Sequence, residues 1–239
     1  MAPKIRLHLD HPLGQGQTVP LTEAQAHYLF AVMRLGPGAV ISLINSRDGE
    51  WDGAVTPAGK RGGSVLVRDQ TAPLQMPPDL WLLFAPIKKA RTDFIVEKAV
   101  EMGAARIMPV LTDYTNAERV RVDKLQAHAV EAAEQSGGTY VPPVSEPVRL
   151  SKLLDTWPAE RALWFCDEVL RGTPTASTTA AGPAAILIGP EGGFSDAERS
   201  RLRSFPYATG ISLGPRILRA DTAAVAALTL WQITMGDWR

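Results

Sequence analysis

The stretch Ala184-Ala185-Ile186-Leu187-Ile188-Gly189-Pro190-Glu191-Gly192-Gly193-Phe194-Ser195 reads as an apolar strand, a glycine-rich bend and the start of a helix. Five consecutive apolar residues suit a strand covered on both faces, as in a parallel sheet flanked by helices. Ser195 with Glu198 has the spacing of a capping box, in which each side chain accepts the other's backbone N–H. A second unit of the same build follows: Ile211 to Leu213, then Gly214-Pro215, then Arg216-Ile217-Leu218-Arg219, then an Ala-rich helix from Asp221 or Thr222. Val225, Leu228 and Met235 recur at helical spacing and are the expected packing face. Repetition of strand, bend and helix predicts an α/β domain.

Working outward, Leu80 to Ala85 is an apolar strand, and Thr92 to Met102 is a helix closed by Gly103. Arg106 to Leu111 is the next strand; Asp123 is the expected cap of a helix running to about Ser136, before Gly137-Gly138. Leu163 to Cys166 is a further strand, and Thr173 to Pro183, small and polar, reads as a loop. Pro73, Pro77 and Pro78 form a stiff connector, and upstream of it the grammar changes. Ile5, Leu7 and Leu9 alternate, and Val40 to Ile44, Glu50 to Val55 and Ser64 to Val67 are short strands, the first two of these joined by the turn Ser46-Arg47-Asp48-Gly49. One helix is expected from Thr22, with Gln25 completing a capping box and Leu29, Val32 and Met33 as its apolar face. The expected division is a small β domain over residues 1–72 and an α/β domain over residues 73–239.

Of the 239 residues 45% are hydrophobic and 21% charged, a mix that supports a packed core and excludes a disordered tail. Lys and Arg total 25, as do Asp and Glu, so any nucleic acid must be gripped by a local basic surface, not by a global field. Cys166 is the single cysteine, which rules out an internal disulfide and a cysteine-built zinc site and points to a reducing compartment. Residues Met1 to His11 hold no apolar signal core, and no stretch reaches the roughly 18 apolar residues of a membrane helix. A cytoplasmic, soluble protein is expected.

A glycine-rich bend between strand and helix usually cradles phosphate through free N–H groups. Here Pro190 removes a donor, Glu191 adds negative charge, and neither GxxxxGK[ST] nor GxGxxG is present. Such a bend suits a neutral or cationic ligand, such as an adenosine carrying a sulfonium; a plain tight turn is the alternative. Gly193-Phe194-Ser195-Asp196-Ala197 is close to a serine-hydrolase elbow, but the histidines, His8, His11, His27 and His128, all precede Ser195, whereas in that fold the triad histidine follows. Ser195 therefore reads as a helix cap. His8, His11 and His128 lack partners for a metal site and read as structural or surface residues, so no metal is expected. The six tryptophans are scattered, which suits core or interface positions better than a base-stacking platform. Basic residues cluster as Lys88, Lys89 and Arg91, with Lys98 further along the same helix; as Arg119, Arg121 and Lys124; and as Lys4, Arg6 and Arg34 in the β domain. Solvated faces and phosphate contacts are both open to them.

Leu187 to Ser195 and Ser212 to Ala223 together resemble the ribosomal RNA small-subunit methyltransferase E family, within the SPOUT class. Pro86-Ile87-Lys88-Lys89, Glu97-Lys98-Ala99-Val100-Glu101-Met102-Gly103 and Glu134-Gln135-Ser136-Gly137 match in the same order, so the resemblance covers nearly the whole chain. It implies an N-terminal PUA-like β-barrel that binds RNA, a C-terminal SPOUT domain with a trefoil knot, a homodimer, and methylation of a uridine N3 in 16S rRNA with S-adenosylmethionine. The family commonly has Glu at Asp221, Arg at Gly138, and an Arg-containing segment at Asp113-Tyr114-Thr115. On this reading backbone groups of Ile188, Gly189, Leu213, Gly214, Ile217 and Leu218 hold the adenosine end, with Pro190, Glu191, Gly193, Pro215, Arg219 and Ala223 completing the cofactor site. Arg219 is the expected cation for charge that develops on the uridine oxygens, and Asp221 or Glu191 would orient it or accept the N3 proton. Two rivals stay open: a related methyltransferase with another target position, and a non-catalytic, dimeric RNA-binding protein.

Overall fold

The computed structural model describes residues 5–56, 62–116, 119–173 and 182–239; Lys4 and most of the expected loop over 173–183 lie outside them. The chain divides into two compact units, Met1–Met76 with Ala133–Val141, and Pro77–Ala132 with Pro142–Arg239.

The first unit holds β1 (Arg6–His8), β2 (Thr18–Pro20), α1 (Glu23–His27), β3 (Val40–Ile44), β4 (Glu50–Val55) and β5 (Ser64–Ala72). The strands form one mixed sheet in the order β1-β3-β4-β5-β2, with β1 parallel to β3 and the other pairs antiparallel. Alternation puts Leu7, Leu9, Ile41, Leu43, Val65 and Val67 in one core with Leu29. In the β3–β4 turn, Asp48 accepts the Leu13 N–H at 2.9 Å and an Asn45 N–H at 2.7 Å, and these bonds hold its carboxyl below the usual carboxylate range. Thr22 and Gln25 make the expected capping box on α1. The expected apolar face fails beyond Leu29: the helix widens into a π-type turn over Tyr28–Val32, and Val32 and Met33 are 58% and 39% exposed. A π turn holds more residues than an α turn, so positions three and four beyond Leu29 rotate off the core side.

The second unit holds β6 (Leu80–Phe84), α2 (Lys89–Glu101), β7 (Arg106–Leu111), most of α3 (Val122–Ser136), β8 (Val148–Arg149), α4 (Leu150–Asp155), β9 (Ala162–Cys166), β10 (Ala184–Ile188), α5 (Asp196–Ser204), β11 (Ala208–Ile211) and α6 (Ala220–Thr234). Its strands form a parallel sheet in the order β11-β9-β10-β6-β7-β8. Every residue of β10 is buried, as its unbroken apolar run requires. β10 lies between β6 and β9, two strands laid down earlier in the chain. Because all strands run the same way, the carboxyl ends of β9, β10 and β11 come to one edge of the sheet.

Three boundaries or faces differ from expectation. Helix α2 begins at Lys89, ahead of Thr92, whose hydroxyl donates to the Ile87 carbonyl at 3.0 Å and so sits inside the first turn. Asp123 is in the first turn of α3 and does not cap it; a hydrogen bond from Arg121 at 2.7 Å holds its carboxyl down to about 2. Helix α6 buries Ala223, Ala224, Ala227, Leu228, Trp231 and Gln232, while Val225 and Met235 are only half-buried. Small side chains let α6 lie close against α2 and β10. Gln232, fully buried, donates to the Met102 carbonyl at 2.6 Å and accepts the Asp237 N–H at 3.1 Å, fastening α6 to the end of α2. Among the described residues no helix is long and apolar enough to cross a membrane.

Candidate active site

A cavity of about 580 Å³ opens at the carboxyl ends of β9, β10 and β11. This is where parallel α/β sheets generally hold ligands, beyond the strand ends where loops and helix starts converge. Both glycine-containing bends wall it: Gly189 to Gly193 after β10, and Leu213, Gly214 and Arg216 to Arg219 between β11 and α6. Further lining comes from Cys166, Asp167 and Glu168 at the end of β9, and from Lys88 and Arg91 at the start of α2.

The first bend is fixed by close packing. Gly193 has φ +69°, a backbone conformation that favours glycine, and a Cβ there would fall on the Glu168 carboxylate, which would have to move aside. Its N–H donates to the Pro190 carbonyl at 2.9 Å. Phe194 is buried edge-on against Phe165, ring centroids 6.3 Å apart, and burial of such a side chain stabilises the bend by about 2–3 kcal/mol. Ser195 accepts the Glu198 N–H at 3.2 Å and Glu198 accepts the Ser195 N–H at 3.0 Å. The Ser195 hydroxyl donates to Asp113 at 2.5 Å, so the serine is a helix cap tied to the loop after β7 and faces no histidine.

The corner after β9 is built on charge. Asp167, its side chain fully buried, accepts from Arg199 Nε at 3.0 Å and from Arg203 at 2.8 Å, while Arg199 also reaches Glu168 at 3.0 Å. A buried carboxylate needs partners of this kind. Cys166 beside it is a neutral thiol, since burial pushes its pKa up to about 12. Cys166, Asp167 and Glu168 are not among the residues expected to line a ligand site. No motif marks them; their one signal is position at the end of a parallel strand.

Of the residues expected to hold the cofactor, Ile188, Gly189, Pro190, Glu191, Gly193, Leu213, Gly214, Ile217, Leu218, Arg219 and Ala223 line the cavity, and Pro215 lies outside its lining. Of the expected catalytic groups, Arg219 occupies the N-cap position of α6 and is exposed, as is Glu191. Asp221 meets Arg91 at 3.1 Å. The expected RNA contacts are dispersed. Arg6 is engaged within the first unit, by Glu50 at 2.9 Å and by the Ala133 and Gly138 carbonyls at 3.2 and 2.9 Å. Arg34, Lys88, Lys89, Arg119, Arg121 and Lys124 are exposed, with Lys89 paired to Asp93 and Arg121 to Asp123. Lys98 pairs with Glu101 at 2.6 Å and rests over the Phe94 ring. His8 is half-buried, which lowers its pKa, and His128 sits against Glu97 at 3.2 Å. Among the described residues no group of three or more His, Cys, Asp or Glu is placed to hold a metal ion.

Several proteins similar to this chain in sequence carry the name ribosomal RNA small subunit methyltransferase E. Ribosomal RNA small subunit methyltransferase E of Rickettsia conorii is 27% identical over 231 residues, 93% of each chain. Its Synechocystis counterpart is 30% identical over 218 residues, 88% of this chain and 71% of that one. The crystal structure of the Neisseria gonorrhoeae enzyme of that name, bound to S-adenosyl methionine, superposes with a TM-score of 0.89 at 27% identity, covering 99% of this chain and all of that one (100%). The Legionella pneumophila protein Lpg2936, solved with the same cofactor, gives 0.90 at 25% identity, covering 99% and 100%. The RNA methyltransferase domain family matches residues 75–232, and the RNA methyltransferase PUA domain matches residues 21–67. Fold, cavity and these matches together define an RNA methyltransferase with an attached PUA domain. Within that class the chain belongs to the ribosomal RNA small subunit methyltransferase E family.

Proposed function

We propose that this protein transfers a methyl group from S-adenosylmethionine to N3 of a uridine in the 16S rRNA of the small ribosomal subunit, in the cytoplasm. The observation that carries the reading is the convergence of both glycine bends on one cavity, in a fold whose relatives were solved with that cofactor. Its volume of about 580 Å³ falls within the roughly 300–1,000 Å³ of small-molecule sites. Ile188, Leu213, Ile217 and Leu218 supply apolar contact, and the glycines expose backbone groups to an adenosine edge. When bound there, S-adenosylmethionine supplies an electrophilic methyl group on a sulfonium.

The protein's own residues align the nucleophile and handle charge. In-line displacement needs N3 held on the axis of the breaking carbon–sulfur bond, with water excluded. Loss of the N3 proton spreads negative charge onto the two flanking carbonyl oxygens, and Arg219 serves one of them. Both Asp221 oxygens already accept hydrogen bonds, from Arg91 and from the Thr222 N–H, which favours Glu191 as the proton acceptor and leaves Asp221 an orienting role. Exposed Arg34, Lys88, Lys89, Arg119 and Lys124 are the proposed phosphate contacts. A homodimer and the trefoil knot implied by the family resemblance belong to the same proposal; the insertion of β10 between β6 and β9 is compatible with a knotted crossing.

Calorimetry with S-adenosylhomocysteine and mass analysis of rRNA nucleosides from a deletion strain test the reading. Micromolar binding and loss of 3-methyluridine are expected; a folded protein that ignores the cofactor product would sink it. In single-turnover methylation, Arg219→Ala is expected to lose about 100-fold in rate, the effect of removing one charge-stabilising donor. An undiminished rate would remove Arg219 from the mechanism.

A further inference from the structure

Arg91 and Asp221 come from opposite ends of the second unit's sequence, yet their side chains meet at 3.1 Å at the edge of the cavity that Arg91 lines. The pair is largely shielded, with side-chain exposures of 30% and 18%. Asp221 is itself fixed. It stands in the first turn of α6, where the helix dipole favours a carboxylate, and its second oxygen accepts the Thr222 N–H at 2.9 Å. Arg91 is anchored in the first turn of α2. One terminal nitrogen of Arg91 is held by Asp221, while its Nε and other terminal nitrogen make no hydrogen bond to another described residue.

We infer that Asp221 is a positioning residue that aims Arg91 at the second of the two uridine oxygens flanking N3, so that Arg91 and Arg219 serve one oxygen each. The inference rests on the methyl-transfer reading above. Charge balance favours Arg91 for this task. With Arg219 already unpaired, a second bare cation beside a sulfonium donor would add to the repulsion, whereas an arginine neutralised by its own carboxylate does not. A carbonyl that gains charge only as the proton leaves is best served by donors already in place, with no reorganisation during the reaction. A permanent carboxylate or phosphate would instead be met by an unpaired cation, and Arg171 and Arg216 line the same cavity with no ion pair among the described residues.

Single-turnover methylation of small subunits lacking the modification, at saturating S-adenosylmethionine, tests this alongside calorimetry with S-adenosylhomocysteine. Arg91→Ala and Asp221→Asn are each expected to slow methylation by about 10- to 100-fold while the affinity for S-adenosylhomocysteine changes less than about 2-fold. The double variant should be no slower than Arg91→Ala, because one residue acts through the other. Asp221→Glu should restore most of the rate, and the Arg91→Ala deficit should shrink as pH rises and N3 ionises without help. Additive losses, a deficit independent of pH, or an affinity that falls in step with the rate would overturn the inference, the last by placing Arg91 on the cofactor's carboxylate. Absence of 3-methyluridine from the wild-type reaction would overturn the methyl-transfer reading itself, a result separable from any behaviour of the variants.

Discussion

Gly193 shows how one position can serve folding and binding together. Its φ of +69° costs an ordinary residue about 1–2 kcal/mol, and an added methyl group would displace the Glu168 carboxylate from the cavity wall. Gly193→Ala is therefore expected to fold with a modestly lower midpoint in urea and to bind S-adenosylhomocysteine at least about 10-fold more weakly, as calorimetry would show. Full-strength binding would mean that the bend relaxes without touching the ligand site. At this scale the sequence was legible where a residue type has one use: the glycine and proline of each bend, and Ser195 with Glu198. It was opaque where the partner is remote. Nothing near Asp221 in the chain announces Arg91, and nothing near Arg6 announces that Glu50 and two carbonyls will occupy it.

Elements were legible in proportion to how strongly they are buried. The apolar strands β6, β9 and β10 follow directly from unbroken hydrophobic runs, because a strand covered on both faces tolerates no other composition. Helix α6 packs by a different face from the one its large apolar residues mark, because close approach to its neighbours selects alanine. Gln232 completes that contact as a buried polar clasp on the Met102 carbonyl, beside the left-handed Gly103 that ends α2. Gln232→Ala strands that carbonyl and opens a void, so a loss of about 2–4 kcal/mol is expected in equilibrium urea unfolding. A change below about 0.5 kcal/mol would show that the clasp is dispensable. The π turn after α1 had no such signature, since its sequence satisfies an α-helix equally well.

Across the whole molecule, equal numbers of acidic and basic residues leave no net charge to attract rRNA. Affinity must come from individual cations, each releasing counterions from the phosphate it meets. Binding of small subunits is expected to weaken linearly in log affinity against log salt. Arg34→Ala in the first unit and Lys124→Ala in the second should each flatten that slope by about one ion. A slope unchanged by either would show that RNA engages other surfaces. If only one variant responds, RNA contact at these two positions is confined to that unit.

The placement of β10 has a temporal corollary. Every wall of the ligand cavity except Lys88 and Arg91 is drawn from residues 166–223, and its central strand is slotted in after both of its neighbours have been synthesised. A polypeptide still emerging from the ribosome has nowhere to lodge the methyl donor until nearly all of its length is available. Half-made copies are thereby prevented from sequestering the donor, and ligand capture becomes a certificate that assembly of this unit is finished.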